Sequence, residues 1–119
     1  MPFNSDQTKS ILLELLKVTK KEKIAVGYEL LDVNDAGTSL LSPPDNANYA
    51  EMRIEFGPGT TGIAARYLLL GDIVLPDDTN GIGLADLDIF DVSSLENLIN
   101  FRIIATSGNS AKLRVQYYK

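Results

Sequence analysis

The hydrophobic positions of this chain change period near residue 23. Over residues 5–20, Ile11, Leu12, Leu15 and Leu16 recur at the spacing of one helix face, and Leu13 widens the stripe. Ser5 or Asp6 can cap such a helix, because a short polar side chain accepts from the free amides of a first turn. Lys17, Lys20, Lys21 and Lys23 crowd its far end, where cations oppose the negative pole of the helix dipole. The pattern predicts a helical arm over 1–22. Too short to stand alone in water, it must pack on its own domain or on a neighbouring subunit.

From residue 23 the period is two. Ile24, Val26, Tyr28 and Leu30 alternate with Ala25, Gly27, Glu29 and Leu31, which suits a half-buried strand. Residues 32–48 read as a loop rich in Asn, Asp, Gly and Pro, with Leu40 and Leu41 able to pack inward. In 49–56, Ala50, Met52, Ile54 and Phe56 point one way, and Tyr49, Glu51, Arg53 and Glu55 the other. A turn over 57–62, a strand over 63–70, a loop through Pro76–Gly83 and a strand over 86–92 follow. Ser93 or Ser94 caps a short helical turn, Ser93 and Glu96 having capping-box spacing. A final hairpin is expected to pair 101–106 with 111–118 around Ser107-Gly108-Asn109. Short strands at this spacing predict a mainly β domain over 23–119, an antiparallel β-sandwich with an N-terminal α-helix.

Composition narrows the chemistry. The 119 residues include no Cys and no His. Thiolate nucleophiles, disulfides, Ser-His-Asp mechanisms and His/Cys zinc sites are therefore excluded. The net charge of −5 opposes a phosphate backbone, so no nucleic-acid partner is expected. No apolar run approaches the ~20 residues of a membrane helix, and no secretion leader or membrane partner is expected.

The remaining candidates for chemistry are carboxylates and tyrosines. Asp86 and Asp88 lie two apart, with Asp72, Asp77 and Asp78 before them. They could serve as a calcium site or a hydrolytic pair, or as solvated turn residues, the reading preferred here for so small a chain. The stretch 76–87 fails as a calcium loop, because Pro76 and Leu87 fall at its first and last ligand positions. Gly81-Ile82-Gly83 lacks the third glycine and the Lys-Ser/Thr pair of a phosphate cradle. Tyr28, Tyr49, Tyr67, Tyr117 and Tyr118 are ordinary cross-strand residues or, alternatively, a platform for sugars. No cofactor is expected.

Residues 49–119, about 60% of the chain, also carry a series of linked motifs. They are Ala64-Ala65-Arg66-Tyr67, Asp78-Thr79 with Gly83-Leu84, Asp86 to Phe90, Leu98-Ile99-Asn100-Phe101-Arg102-Ile103-Ile104, and Leu113 to Lys119. In this order they resemble a family of small β-sandwich structural proteins of tailed-phage virions. The Leu-rich N-terminal segment and the insertion 68–76 depart from that pattern. The resemblance implies a jelly-roll-like, non-enzymatic building block that is made in the host cytoplasm and resides in the virion. It would act as a decoration, fibre-base or head–tail component, as a homo-oligomer with other virion proteins as partners. The candidate assembly residues are Ile11, Leu12, Leu15 and Leu16 on the arm, with Arg102, Lys112, Arg114 and Tyr118 as a basic strip on the last hairpin. A carbohydrate- or host-surface-binding module, using the loops at 34–48 and 76–84, is the alternative.

Overall fold

A computed structural model of the chain describes residues 24–119. The arm over 1–22, with Ile11, Leu12, Leu15 and Leu16, lies outside the described residues. Eight strands and one short helix follow in order: β1 Ala25–Val33, β2 Thr38–Ser39, β3 Tyr49–Phe56, β4 Ala65–Leu68, β5 Ile82–Leu84, β6 Ile89–Ser93, α1 Leu95–Asn100, β7 Arg102–Ala105 and β8 Ala111–Tyr118. They form two four-stranded antiparallel sheets, one ordered β1-β8-β3-β6 and the other β2-β7-β4-β5. The pairing is palindromic: β1 with β8, β2 with β7, β3 with β6 and β4 with β5, joined by β3–β8 and β4–β7. The chain is therefore laid out as one long hairpin, with its tip at β4–β5, folded across two sheets.

The two sheets share one core. The first contributes Leu31, Val33, Ala50, Met52, Ile54, Val92, Leu113, Val115 and Tyr117; the second contributes Ala65, Tyr67, Leu84, Ile103 and Ala105. Leu98 of α1 and Phe101 complete it, both fully buried. Tyr67 stacks on Phe90 at 4.8 Å and meets Phe101 at 5.6 Å, so aromatic rings link the sheets. Two antiparallel sheets around one apolar core give the domain a sandwich-like character.

The alternation in β3 is realised as expected: Ala50, Met52 and Ile54 are buried. In β1 the phase changes part-way. Val26 packs against the core, but so do Leu31 and Val33, while Tyr28 and Leu30 are exposed. A bulge between Ala25 and Gly27 supplies the odd residue that switches the inward face. Within the expected loop 32–48, Thr38–Ser39 adds a short strand; Leu40 packs inward, whereas Leu41 is 76% exposed.

The last two strands do not form a hairpin. β7 lies in one sheet and β8 in the other, and the turn between them, closed by Asn109 N–H donating to the Thr106 carbonyl at 2.9 Å, carries the chain across the core. Phe101, Ile103, Leu113, Val115 and Tyr117 are buried as expected, but they face one another from opposite layers. Alternation reveals which side of a strand is apolar, not which strand lies beside it. The cap of α1 is Ser94, whose Oγ accepts from the Asn97 amide at 3.2 Å, so the helix starts one residue later than the Ser93–Glu96 spacing implied.

Candidate functional site

The crossing of β7 and β8 divides the basic strip. Lys112 and Arg114 lie on the outer face of the first sheet; Arg102 lies on the second. Each cation has a local partner. Lys112 donates to Asp32. Arg114 Nε donates to Glu55 Oε1 at 2.8 Å and its Nη1 to the Tyr28 hydroxyl at 3.1 Å. The bond to Glu55, then that to Tyr28, raises the Arg114 pKa above its ordinary value. Arg53 stands directly opposite Arg114 in the β3–β8 register, and its Nε also lies 3.9 Å from Glu55 Oε1. One carboxylate thus offsets the repulsion of two facing guanidiniums. Tyr118 stacks on Tyr49, with centroids 4.9 Å apart.

Arg102 acts differently. Its Nε donates to Asp72 Oδ1 at 3.1 Å, and its Nη1 donates to the carbonyls of Ile99 and Phe101. It ties the segment after β4 to the end of α1. Gly71 N–H donates to the Asn100 carbonyl at 2.8 Å in the same place. Gly71 has φ of 59°, and a Cβ there would sit 3.0 Å from Asn100 Oδ1. A side chain is thus disfavoured both by backbone conformation and by space. Asn80 Nδ2 holds the Leu75 carbonyl from the other side.

The result is a fixed loop with apolar tips. Residues 63–70 were expected to run as one strand, but β4 ends at Leu68. Beyond it Leu69 packs on the core, while Leu70, Ile73, Val74 and Leu75 are exposed, Ile73 to 89%. Ile99, beside the Asn100 anchor, is exposed too. Exposed apolar side chains gathered on an anchored loop are the usual mark of an interaction site. The sequence signal was present in the apolar run 73–75, but that run was noted only as part of the insertion 68–76 and was given no role.

Between this loop and β2 lies a groove of ≈ 360 Å³, with Gly37, Thr38 and Ser39 on one wall, Asp72, Leu75 and Pro76 on the other, and Arg102 to Ile104 as its floor.

The carboxylates serve the backbone. Asp86 Oδ1 accepts from the Phe56 amide and Asp88 Oδ2 from the Ala85 amide, each at 2.8 Å. Asp77 Oδ1 accepts from the amides of Thr79 and Asn80 and from the Thr79 hydroxyl, and these bonds, Thr79's amide first, lower its pKa. Asp78 accepts from the Ser107 amide and hydroxyl, tying the 77–80 loop to the β7–β8 turn. Among the described residues no three His, Cys, Asp or Glu side chains are grouped to hold a metal ion. The tyrosines are likewise dispersed: Tyr67 and Tyr117 are buried, Tyr28 is on the outer face, and Tyr49 and Tyr118 stack together.

One contact had no sequence signal. The buried Tyr117 hydroxyl donates to Glu29 Oε2, whose other oxygen accepts from the amides of Leu41 at 3.0 Å and Ser42 at 3.3 Å. This carboxylate pins the β2–β3 connection to β1 and β8.

Comparison with family models, curated proteins and solved structures returns no match. No helix among the described residues is long and apolar enough to cross a membrane.

Proposed function

We propose that this chain is a structural protein of a bacteriophage virion: a decoration, fibre-base or head–tail component that assembles with copies of itself and with other virion proteins. The observation carrying this reading is the anchored loop with Leu70, Ile73, Val74 and Leu75 turned outward. Burying such side chains against a neighbour yields roughly 25 cal/mol per Å² removed from water. The hydrogen bonds from Gly71, Arg102 and Asn80 fix the loop beforehand, so little ordering entropy is lost on contact.

The strand order supports a jelly-roll reading of the domain. Palindromic pairing of eight strands across two sheets is what two Greek keys in sequence produce, an arrangement found in viral capsid and lectin domains. The link from fold to function is analogy. The helical arm over 1–22 belongs to the proposal as a second contact. Arg102 acts within the subunit, holding the loop in place; Lys112, Arg114 and Tyr118 supply the outer face of the first sheet.

Light scattering after size exclusion tests the reading. Ile73→Asp combined with Leu75→Ser should leave the melting temperature near wild type and abolish the association made through this loop, lowering the assembled mass. A wild-type chain that stays monomeric at about 0.1 mM and binds no virion protein would remove the basis for it.

The groove between β2 and the loop favours one second reading, a sugar- or host-surface-binding module. Its volume suits a small ligand, and Thr38, Ser39, Asp72 and Arg102 are among the polar residues that line it. A glycan array decides: binding lost on Asp72→Ala would support this module, and an empty array would retire it.

A further inference from the structure

We propose that two copies of this chain join through β1, edge to edge, so that the two β1-β8-β3-β6 sheets become one continuous eight-stranded sheet. This rests on the assembly reading above and specifies one of its contacts.

Among the described residues β1 is a nine-residue strand at the margin of its sheet, with β8 as its sole strand partner. The opposite margin, β6, has five residues; the margins of the other sheet, β2 and β5, have two and three. Among the described residues no backbone hydrogen bond reaches β1 from the side away from β8. The 41–44 loop reaches the strand only through side chains: the Glu29 carboxylate takes the Leu41 and Ser42 amides, and Pro44 lies against Gly27. A row of open N–H and C=O groups is matched by another extended strand and by little else.

The residues select a second copy and a register. Beyond the bulge, β1 pairs regularly from Gly27 to Val33, and the midpoint of that run is Leu30. An antiparallel, two-fold pairing centred there places Leu30 against Leu30 of its mate and Tyr28 against Asp32, all on the outer face. On the inner face Glu29 meets Leu31, its carboxylate already satisfied by Tyr117 and the loop amides. No like charges face one another. A pairing centred on Glu29 would set two carboxylates opposite each other, which is unfavourable. The apolar Tyr28 and Leu30, 57% and 49% exposed in the single chain, would be covered by their counterparts. A two-fold contact of this kind closes on itself, whereas β1 joined to β6 of the next copy would propagate.

The absence of Cys makes the test clean. Opposed residues in an antiparallel pair have Cα atoms about 4.5–5.5 Å apart, within disulfide reach. In the full chain, Leu30→Cys should oxidise to a covalent dimer at least tenfold faster than Ser110→Cys, an exposed turn residue. Leu30→Lys, with circular dichroism unchanged, should weaken dimerisation about tenfold by opposing two cations. If the protein is oligomeric but Leu30→Cys crosslinks no faster than Ser110→Cys, the β1 contact falls and the assembly reading stands. If the protein is monomeric, both fall. Crosslinking of Leu30→Cys only to an Ile89→Cys copy would replace the two-fold pairing by β1–β6 propagation. Protection of β1 amides from hydrogen exchange in dilute monomer would assign the edge to the chain's own residues 1–23 and overturn the proposal.

Discussion

Replacing Tyr117 by Phe isolates the hydrogen bond that joins β8 to the Glu29 carboxylate of β1, the group that also holds the loop after β2. The ring stays, fully buried among the same neighbours, so packing is nearly conserved. What disappears is the hydroxyl that donates to Glu29 Oε2. A hydrogen bond to a charged group contributes about 1.5–3 kcal/mol net. Glu29 keeps the Leu41 and Ser42 amides on its other oxygen, so the loss should sit near the middle of that range, about 2 kcal/mol. For a domain of this size that lowers the melting temperature by about 10 °C. Urea denaturation gives the free energy, and a double-mutant cycle with Glu29→Gln should show coupling of about 1 kcal/mol or more. The same bond has a pH signature. Burial, and then the bond to Glu29, raises the Tyr117 pKa, while the unfolded chain ionises it near its ordinary value of about 10. The contribution is fully present below that value and is lost as pH rises toward the folded one. Stability should therefore fall above about pH 10 by up to ~1.4 kcal/mol per pH unit, and Tyr117→Phe should flatten that limb. Tyr67, raised by burial, keeps part of the slope with the same sign. A Phe variant within 0.5 kcal/mol of wild type at neutral pH, with an unchanged alkaline limb, would refute the role given to this hydroxyl.

Three further outcomes follow from local geometry. Ser94→Ala should cost about 1 kcal/mol by removing the acceptor for the Asn97 amide, while Ser93→Ala should stay within about 0.5 kcal/mol; equal effects in thermal denaturation would contradict the cap. A Cβ on Gly83 would lie 2.7 Å from Ile63 Cδ1, so Gly83→Ala should destabilise by about 1 kcal/mol, and adding Ile63→Ala should recover most of it. The Asp77 carboxyl, holding the Thr79 and Asn80 amides, should titrate below the ordinary Asp value by carbon-detected NMR; a midpoint at or above that value would mean the turn is not formed in solution.

Residues 49–56 were the most legible part of the fold, because eight residues of unbroken alternation leave one choice of inner face. β1 was legible as a strand but not in phase: a single bulge residue exchanges its faces, and nothing in the composition of Ala25–Gly27 marks the slip. β2 is two residues long, below what periodicity can register. The β7–β8 pairing failed for a different reason. A tight turn containing Gly and Asn serves a hairpin and a sheet-to-sheet crossing equally well, and both bury alternate residues. The candidate site suffered from the same ambiguity. Arg102 and Arg114 looked like neighbours on one strip only while β7 and β8 were taken to pair. The exposed loop was hidden because the strand was expected to run on to residue 70 and 68-LLLGDIVLP-76 stood only as an insertion; the anchors that fix its turn at Gly71, from Asn100 and Arg102, come from residues about thirty positions away.

The palindromic wiring also bears on how folding and assembly are linked. Val33 pairs with Ala111 and Ala25 with Tyr118, so β1 joins its sheet only by closing nearly the whole described chain. Among the described residues it is paired on one side, whereas β3 and β8 are paired on both. Loop closure before reward makes such a strand late to form, and single-sided pairing makes it early to open. In dilute monomer β1 amides should therefore exchange hydrogen faster than those of β3 and β8. A second copy on the open side would supply the missing ladder, slowing that exchange with rising protein concentration while β3 and β8 stay nearly constant. Assembly would then stabilise a strand that, among the described residues, is paired on one side only, by mass action rather than by any change of shape.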